Sequence, residues 1–146
     1  RYTKDRISDV LQFERDLRAE ENFLGWEIDE KYIANVTASF EDPAFANSLS
    51  LLAYMDGKVV GRIDSAKICS RFDGSVKAYL DWICVIKSYR HKGVAQMLLK
   101  ELRRQLKKSG VETLIALTDS NEAFQRFYRK VPNSEMKNTG IWIDII

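Results

Sequence analysis

Residues 76–108 read VKAYLDWICVIKSYRHKGVAQMLLKELRRQLKK, and the reading of the fold turns on them. Up to Ile86 the run is rich in β-branched and aromatic residues, which predicts a strand. After it, apolar residues recur at Val94, Ala95, Leu98, Leu99, Leu102 and Leu106, the spacing of one helix face. Lys100, Glu101, Arg103, Arg104, Gln105, Lys107 and Lys108 fill the opposite face. Between strand and helix stands Arg90-His91-Lys92-Gly93-Val94-Ala95, a basic turn with one glycine.

Such a junction has a definite chemistry. The first turn of a helix carries backbone N–H groups with no partner inside the helix. The peptide dipoles add positive partial charge at the same end. A phosphate or diphosphate is the natural occupant. Gly93 lets main chain approach an anion with no Cβ in the way, and Arg90, His91 and Lys92 add donors around it. The turn lacks the spacing of a Walker A loop and that of the dinucleotide G-x-G-x-x-G, so it is a diphosphate cradle of another kind.

Working outward, 146 residues predict one domain over 1–146, and 45% apolar residues suffice for a real core. A net charge of +2 excludes a strong nucleic-acid signature, so no nucleic-acid partner is expected. No apolar run reaches the ~20 residues of a membrane span, and no signal peptide is visible. The chain opens at Arg1 without Met, so preceding residues are expected to be missing. Cys69 and Cys84 have no metal-like spacing, and no metal is expected. If their strands form a hairpin around Asp73-Gly74, Cys69 faces about residue 78 and Cys84 about residue 63, out of register for a disulfide. Free thiols in a reducing cytoplasm are the expectation.

Along the chain, residues 1–3 read as the tail of a strand, and Thr3 or Asp5 can cap a helix running to about Ala19. Asp29 caps a second helix with Tyr32, Ile33, Val36 and Phe40 on one side, and Pro43 stops it. Residues 48–55 are a strand, Asp56-Gly57 a hairpin turn, residues 58–69 the next strand, and 71–75 a second turn before the central strand. After the cradle helix, closed by Ser109-Gly110, come a strand at 111–118, a helix at 122–131 capped from 119–121, and two strands around 138–140. The order β-α-α-β-β-β-α-β-α-β-β implies an α/β fold with a mixed sheet.

The pattern R-x-x-G-x-A at Arg90–Ala95, placed after Cys84-Val85 and before this helix, resembles the acyl-CoA segment of the GNAT superfamily of N-acetyltransferases, whose loop reads [QR]-x-x-G-x-[GA]. The element order matches that family over nearly the whole chain. A second segment, Asn121 to Tyr128, is similar to the family's N-x-x-A-x-x-[FL]-Y, with Phe124 where Ala is usual; the customary Gly-Phe after the helix is replaced by Pro132-Asn133.

The resemblance implies acetyl-CoA as co-substrate. Its arm would lie beside the main chain of Ile83, Cys84 and Val85, in a gap between the central strand and its parallel neighbour. Its diphosphate would lie on Arg90, His91, Lys92, Gly93, Val94 and Ala95, with Asn121, Phe124 and Phe127 contributing from the second segment. Tyr128 would protonate the departing thiolate; a phenol near pKa ~10 suits a thiolate leaving group. The bland alternative is a Tyr that packs its ring and wets its hydroxyl. Asn121 is equally a helix cap.

Asp81 is the acid that asks for a reason, because a buried unpaired carboxylate mid-strand is costly. By simple alternation it shares a face with Lys77, Tyr79, Ile83 and Val85. It is a candidate base, substrate anchor, or structural partner of Lys77. His91, the one histidine, sits inside the cradle and offers its amide rather than a base, and Cys84 has no histidine near it in sequence to make it a nucleophile.

By the same resemblance, acceptor choice falls to the first two helices and their loop. Glu20, Glu21, Glu27, Asp29, Glu30, Glu41 and Asp42 would give that side a negative field, and Trp26, Phe23 and Tyr32 a cation–π wall. Trp26, Glu27, Tyr79 and Asp81 are the candidate acceptor-binding residues. AYLDWICV followed by YRHKGVA also resembles aminoglycoside N-acetyltransferases, so a small cationic amine is the expected acceptor. The alternatives are a protein N-terminus or lysine, and a CoA-binding module without catalysis. A homodimer is possible on the same footing.

Overall fold

A computed structural model of the chain describes residues 1–21, 27–118, 121–137 and 140–145. They fall into two compact units, Arg1–Ile115 and Ala116–Ile146.

In the first unit a meander builds most of the sheet. β1 (Ser48–Met55) and β2 (Lys58–Cys69) are antiparallel. They are joined by Asp56-Gly57, whose φ of 50° and 75° are the two left-handed values a tight hairpin turn needs. β3 (Val76–Val85) pairs antiparallel with β2, and β4 (Thr113–Ala116) follows it in the order β1-β2-β3-β4. The β3-to-β4 connection runs through α3 (Val94–Lys108), the crossover that makes the sheet mixed.

Two helices cover opposite faces, and the register shows why. Gly61 sits opposite Val85, and a Cβ there would lie 2.9 Å from Val94 Cγ1 and 3.1 Å from Leu98 Cδ1, so α3 is pressed against this face. The next residue, Arg62, sits opposite Cys84 and reaches Glu14 of α1 (Ile7–Glu20) at 3.5 Å. Neighbouring strand residues point to opposite faces, so α1 lies on the other side. α3 buries Val94, Leu98, Leu99, Leu102 and Leu106; α1 buries Val10, Phe13, Glu14 and Leu17. Asp29 caps α2 (Glu30–Ser39) by accepting the Tyr32 N–H at 2.7 Å, as its position predicts.

The differences from the sequence reading are local. Residues 1–3 form no strand; Tyr2 N–H donates once to the Ser50 carbonyl at 2.9 Å, and a 3-10 turn over Lys4–Arg6 follows. Cys69 faces Val76 rather than residue 78, because the hairpin closes tightly over Ser70–Ser75, and Cys84 faces Arg62 rather than residue 63, through that closure and a one-residue register shift further along; both thiols are free.

The larger correction concerns Asp81. Asp64 pairs with Trp82 and Ser65 with Leu80, which leaves Asp81 as the extra residue of a β-bulge. One inserted residue reverses the alternation beyond it. Lys77 and Tyr79 therefore lie on the α1 face with Trp82 and Cys84, not with Ile83 and Val85.

The second unit holds α4 (Glu122–Arg129). The strands expected around 138–140 are not formed among its described residues, and Ile141, Trp142, Ile143 and Ile145 are strongly exposed.

Candidate active site

The cradle is built from β3 outward. Val85 ends the strand, Ile86 N–H donates to the Val60 carbonyl at 3.0 Å, and a 3-10 turn covers Lys87–Tyr89. The chain then reverses through two left-handed residues, His91 at φ 60° and Gly93 at φ 80°. Gly93 is the N-cap of α3 and supplies no side-chain cap. The helix ladder opens with Met97 N–H to the Gly93 carbonyl at 3.0 Å, so the amides of residues 94–96 stand ahead of it. Nothing but Gln96 Oε1, at 3.7 Å, approaches the place a Gly93 Cβ would occupy. Open space, a left-handed cap and uncapped amides fit a diphosphate. His91 and Lys92 are exposed beside it, with Lys92 Nζ 5.1 Å from the Tyr89 ring centre.

Arg90 is placed differently from a free phosphate donor. Its Nη1 and Nη2 donate to both Glu21 oxygens, at 2.8 and 2.6 Å, and its Nε donates to the Val85 carbonyl at 3.0 Å. Next to it, the Ser88 N–H and hydroxyl both donate to the Glu20 carboxylate, each at 2.7 Å. Glu20 and Glu21, expected on the acceptor side, instead join Ser88 and Arg90 of the expected cofactor loop. Nothing in local spacing links residues so far apart.

On β3, Ile83 and Val85 face α3, while Cys84 packs toward Phe13, Leu17, Val59 and Ile86. Burial pushes the Cys84 thiol up to about 11, with the Arg90 guanidinium pulling weakly the other way. Asp81 is exposed in its bulge, and Lys77 pairs with Asp73 at 3.7 Å rather than with Asp81. Tyr79 is half-buried opposite Ala66, and Glu27 is exposed. Trp26 and Phe23 lie outside the described residues.

Most of the early acids hold structural partners. Besides Glu20 and Glu21, Asp29 caps α2, Glu41 pairs with Lys4, and Asp42 accepts the Ala44 N–H at 2.8 Å. Glu27 and Glu30 are exposed.

Behind this side of β2 and β3 lies a charged layer that sequence reasoning did not single out. Glu14, 1% exposed, accepts from Arg18 at 2.6 Å and lies 3.5 Å from Arg62. Arg62 in turn meets Asp64 at 2.6 Å and stacks over Tyr2 at 5.0 Å. The available signal was Arg62-Ile63-Asp64, two charges flanking an apolar residue inside a strand. Burial holds the Tyr2 hydroxyl at about 12, well above an ordinary phenol.

In the second unit, Asn121 Oδ1 accepts the Ala123 N–H at 2.8 Å, so its cap role is realised. Phe127 and Tyr128 are half-buried with rings 5.2 Å apart, edge to face, and Phe124 is 43% exposed.

A crossover from β3 into α3 through a glycine-capped basic turn, on a mixed sheet faced by helices, is the frame that the comparisons address. The family comparison is specific: the model of the acetyltransferase (GNAT) family matches residues 2–131, and the chain belongs to that family. No curated protein matches it in sequence.

Similar solved structures include an aminoglycoside acetyltransferase, meta-AAC0020, from an uncultured soil metagenomic sample, in complex with trehalose. That pair has a TM-score of 0.81 and 16% identity over 99% of this chain and 93% of that one. AAC(6')-Iy in complex with the bisubstrate analogue CoA-S-monomethyl-acetylneamine gives 0.77 and 19%, over 99% and 95%. A ribosomal-protein-alanine N-acetyltransferase from Brucella melitensis biovar Abortus 2308 gives 0.72 and 14%, over 98% and 95%. At these identities the likeness is one of fold.

Proposed function

We propose that the chain is an acetyl-CoA-dependent N-acetyltransferase that acts on a primary amine of a small cationic molecule. The observation that carries this reading is the Gly93 cradle: a left-handed glycine cap with uncapped amides at the end of the central strand, in a chain of the GNAT family.

The amides of residues 93–95 would hold the diphosphate, and the main chain of Ile83, Cys84 and Val85 would pair with the pantetheine arm. An N–H near Val85 would polarise the thioester carbonyl. Asp81, exposed where the bulge lifts it out of the ladder, would take the amine's proton through water. The amine nitrogen then attacks the carbonyl carbon, the C–S bond breaks, and Tyr128 gives its proton to the sulfur. No acyl-enzyme is needed, which agrees with a Cys84 thiol that burial keeps protonated at neutral pH.

The small-amine acceptor is favoured by the two structurally similar enzymes named for aminoglycosides. A protein N-terminus is the second reading, favoured by the ribosomal-protein-alanine enzyme of similar fold.

The test is an acetyl-CoA turnover screen read by free thiol, over aminoglycosides, polyamines, simple amines and peptides with free N-termini. Thiol release with a small cationic amine supports the first reading. Release with peptides alone replaces it by the second. Acetyl-CoA binding with no release on any acceptor leaves a binding module in its place.

A further inference from the structure

The diphosphate cradle is surrounded by cations in sequence, yet two carboxylates from α1 are bonded to the same short loop. Glu20, the last residue of α1, accepts from both the amide and the hydroxyl of Ser88. Glu21, its C-cap, takes both arms of the Arg90 guanidinium, whose Nε holds the Val85 carbonyl. The bonds run from 2.6 to 3.0 Å, so the segment between β3 and Gly93 is fastened to α1 at two consecutive residues. The Ser88 bonds hold the Glu20 carboxyl below the usual carboxylate range, and the Glu21 carboxylate raises Arg90 above the usual guanidinium.

Charge alone argues against this arrangement. A carboxylate beside a bound diphosphate repels it, and the more so at low salt. Glu21 also cancels the charge on Arg90, the residue that the loop's sequence offers to a phosphate. The carboxylates must therefore act through geometry.

We propose that Glu20 and Glu21 are positioning residues for the thioester carrier. They clamp the 87–90 turn so that the following amides, at Gly93 and beyond, converge on one anion. Arg90 acts as the clasp of that clamp rather than as a phosphate ligand. The proposal rests on the acetyl-CoA reading above.

The two accounts of these acids differ in sign. If they matter only as charges, Glu21→Gln frees Arg90 and tightens CoA binding. If they position the loop, it loosens it. The experiment is calorimetric titration of CoA into the wild type, Glu21→Gln, Arg90→Gln and the double variant, with a melting curve for each. Clamping predicts a Kd raised about 5- to 30-fold in each single variant, with the double no weaker than the weaker single, because both break one contact. Ser88→Ala, which keeps the amide bond to Glu20, is expected to give a smaller loosening and serves where the others fold poorly. In turnover with the acceptor from the screen, KM for acetyl-CoA rises while kcat holds within about twofold.

Unchanged or tighter CoA binding in Glu21→Gln overturns the clamp and leaves the acetyltransferase reading intact. Multiplying losses in the double variant also overturn it, since they mean that Arg90 meets the ligand independently. Failure of the wild type to bind CoA removes the acetyltransferase reading and the clamp with it.

Discussion

The central strand carries a thiol that chemistry would notice, and its surroundings decide what it does. Cys84 sits among Phe13, Leu17, Val59 and Ile86, and burial raises it from 9.0 to about 11. A group whose folded value lies above its unfolded one favours folding below pH 9, and that contribution is lost as pH climbs toward about 11. At pH 8 a thiol reagent should therefore label exposed Cys69 quickly and Cys84 slowly, and in a Cys69→Ser variant the fast phase should vanish. Rapid labelling of that variant would mean Cys84 is an open, reactive thiol. Tyr128 is the other residue with a sharp expectation: Tyr128→Phe should lower kcat by about 100-fold with KM for acetyl-CoA little changed, measured by thiol release. Undiminished turnover would remove Tyr128 from the chemistry. Glu14 belongs to stability instead. Glu14→Ala removes the buried carboxylate that accepts from Arg18 and lies 3.5 Å from Arg62, while Arg62 keeps Asp64, and should cost about 1–3 kcal/mol in urea unfolding.

At the scale of elements, the contact between α3 and the sheet sets where the cradle sits. Gly61 is what allows it, since any Cβ there meets Val94 at 2.9 Å. Gly61→Ala should destabilise the fold by about 1–3 kcal/mol and weaken CoA binding, because α3 must back away with the cradle on its first turn. A variant as stable and as tight as the wild type would show that the contact relaxes freely. The α3 stripe, the Asp56-Gly57 hairpin and the Asp29 cap were legible in sequence because each rests on spacing or turn chemistry within a few residues. The bulge at Asp81 was not, since a one-residue insertion shows only in the partner strand's register. The hydrogen bond from Ser88 to Glu20 and the ion pair of Arg90 with Glu21, across 68 and 69 positions, leave no local trace either. Opposite charges in distant segments acquire partners only when the fold closes. The short run 1–3 failed as a strand because the bond from Tyr2 to Ser50 begins no ladder and Thr3 already accepts from Arg6 in the following turn.

For the molecule as a whole, the family match runs from residue 2 to residue 131 and so takes in residues of both units. The reading of direct transfer predicts intersecting initial-rate lines when acetyl-CoA and amine are varied together, and parallel lines would require an acyl-enzyme. The measurement that bears most directly on the account is calorimetric titration of acetyl-CoA into the wild type and into Gly93→Val. A β-branched residue at φ 80° is strained and places its Cβ where the anion should approach. The account predicts wild-type binding in the micromolar range of ordinary substrates, on the order of 1–100 μM, and at least a ~10-fold loss in Gly93→Val at an unchanged fold. Equal affinity in the two proteins, or none in the wild type, would contradict it.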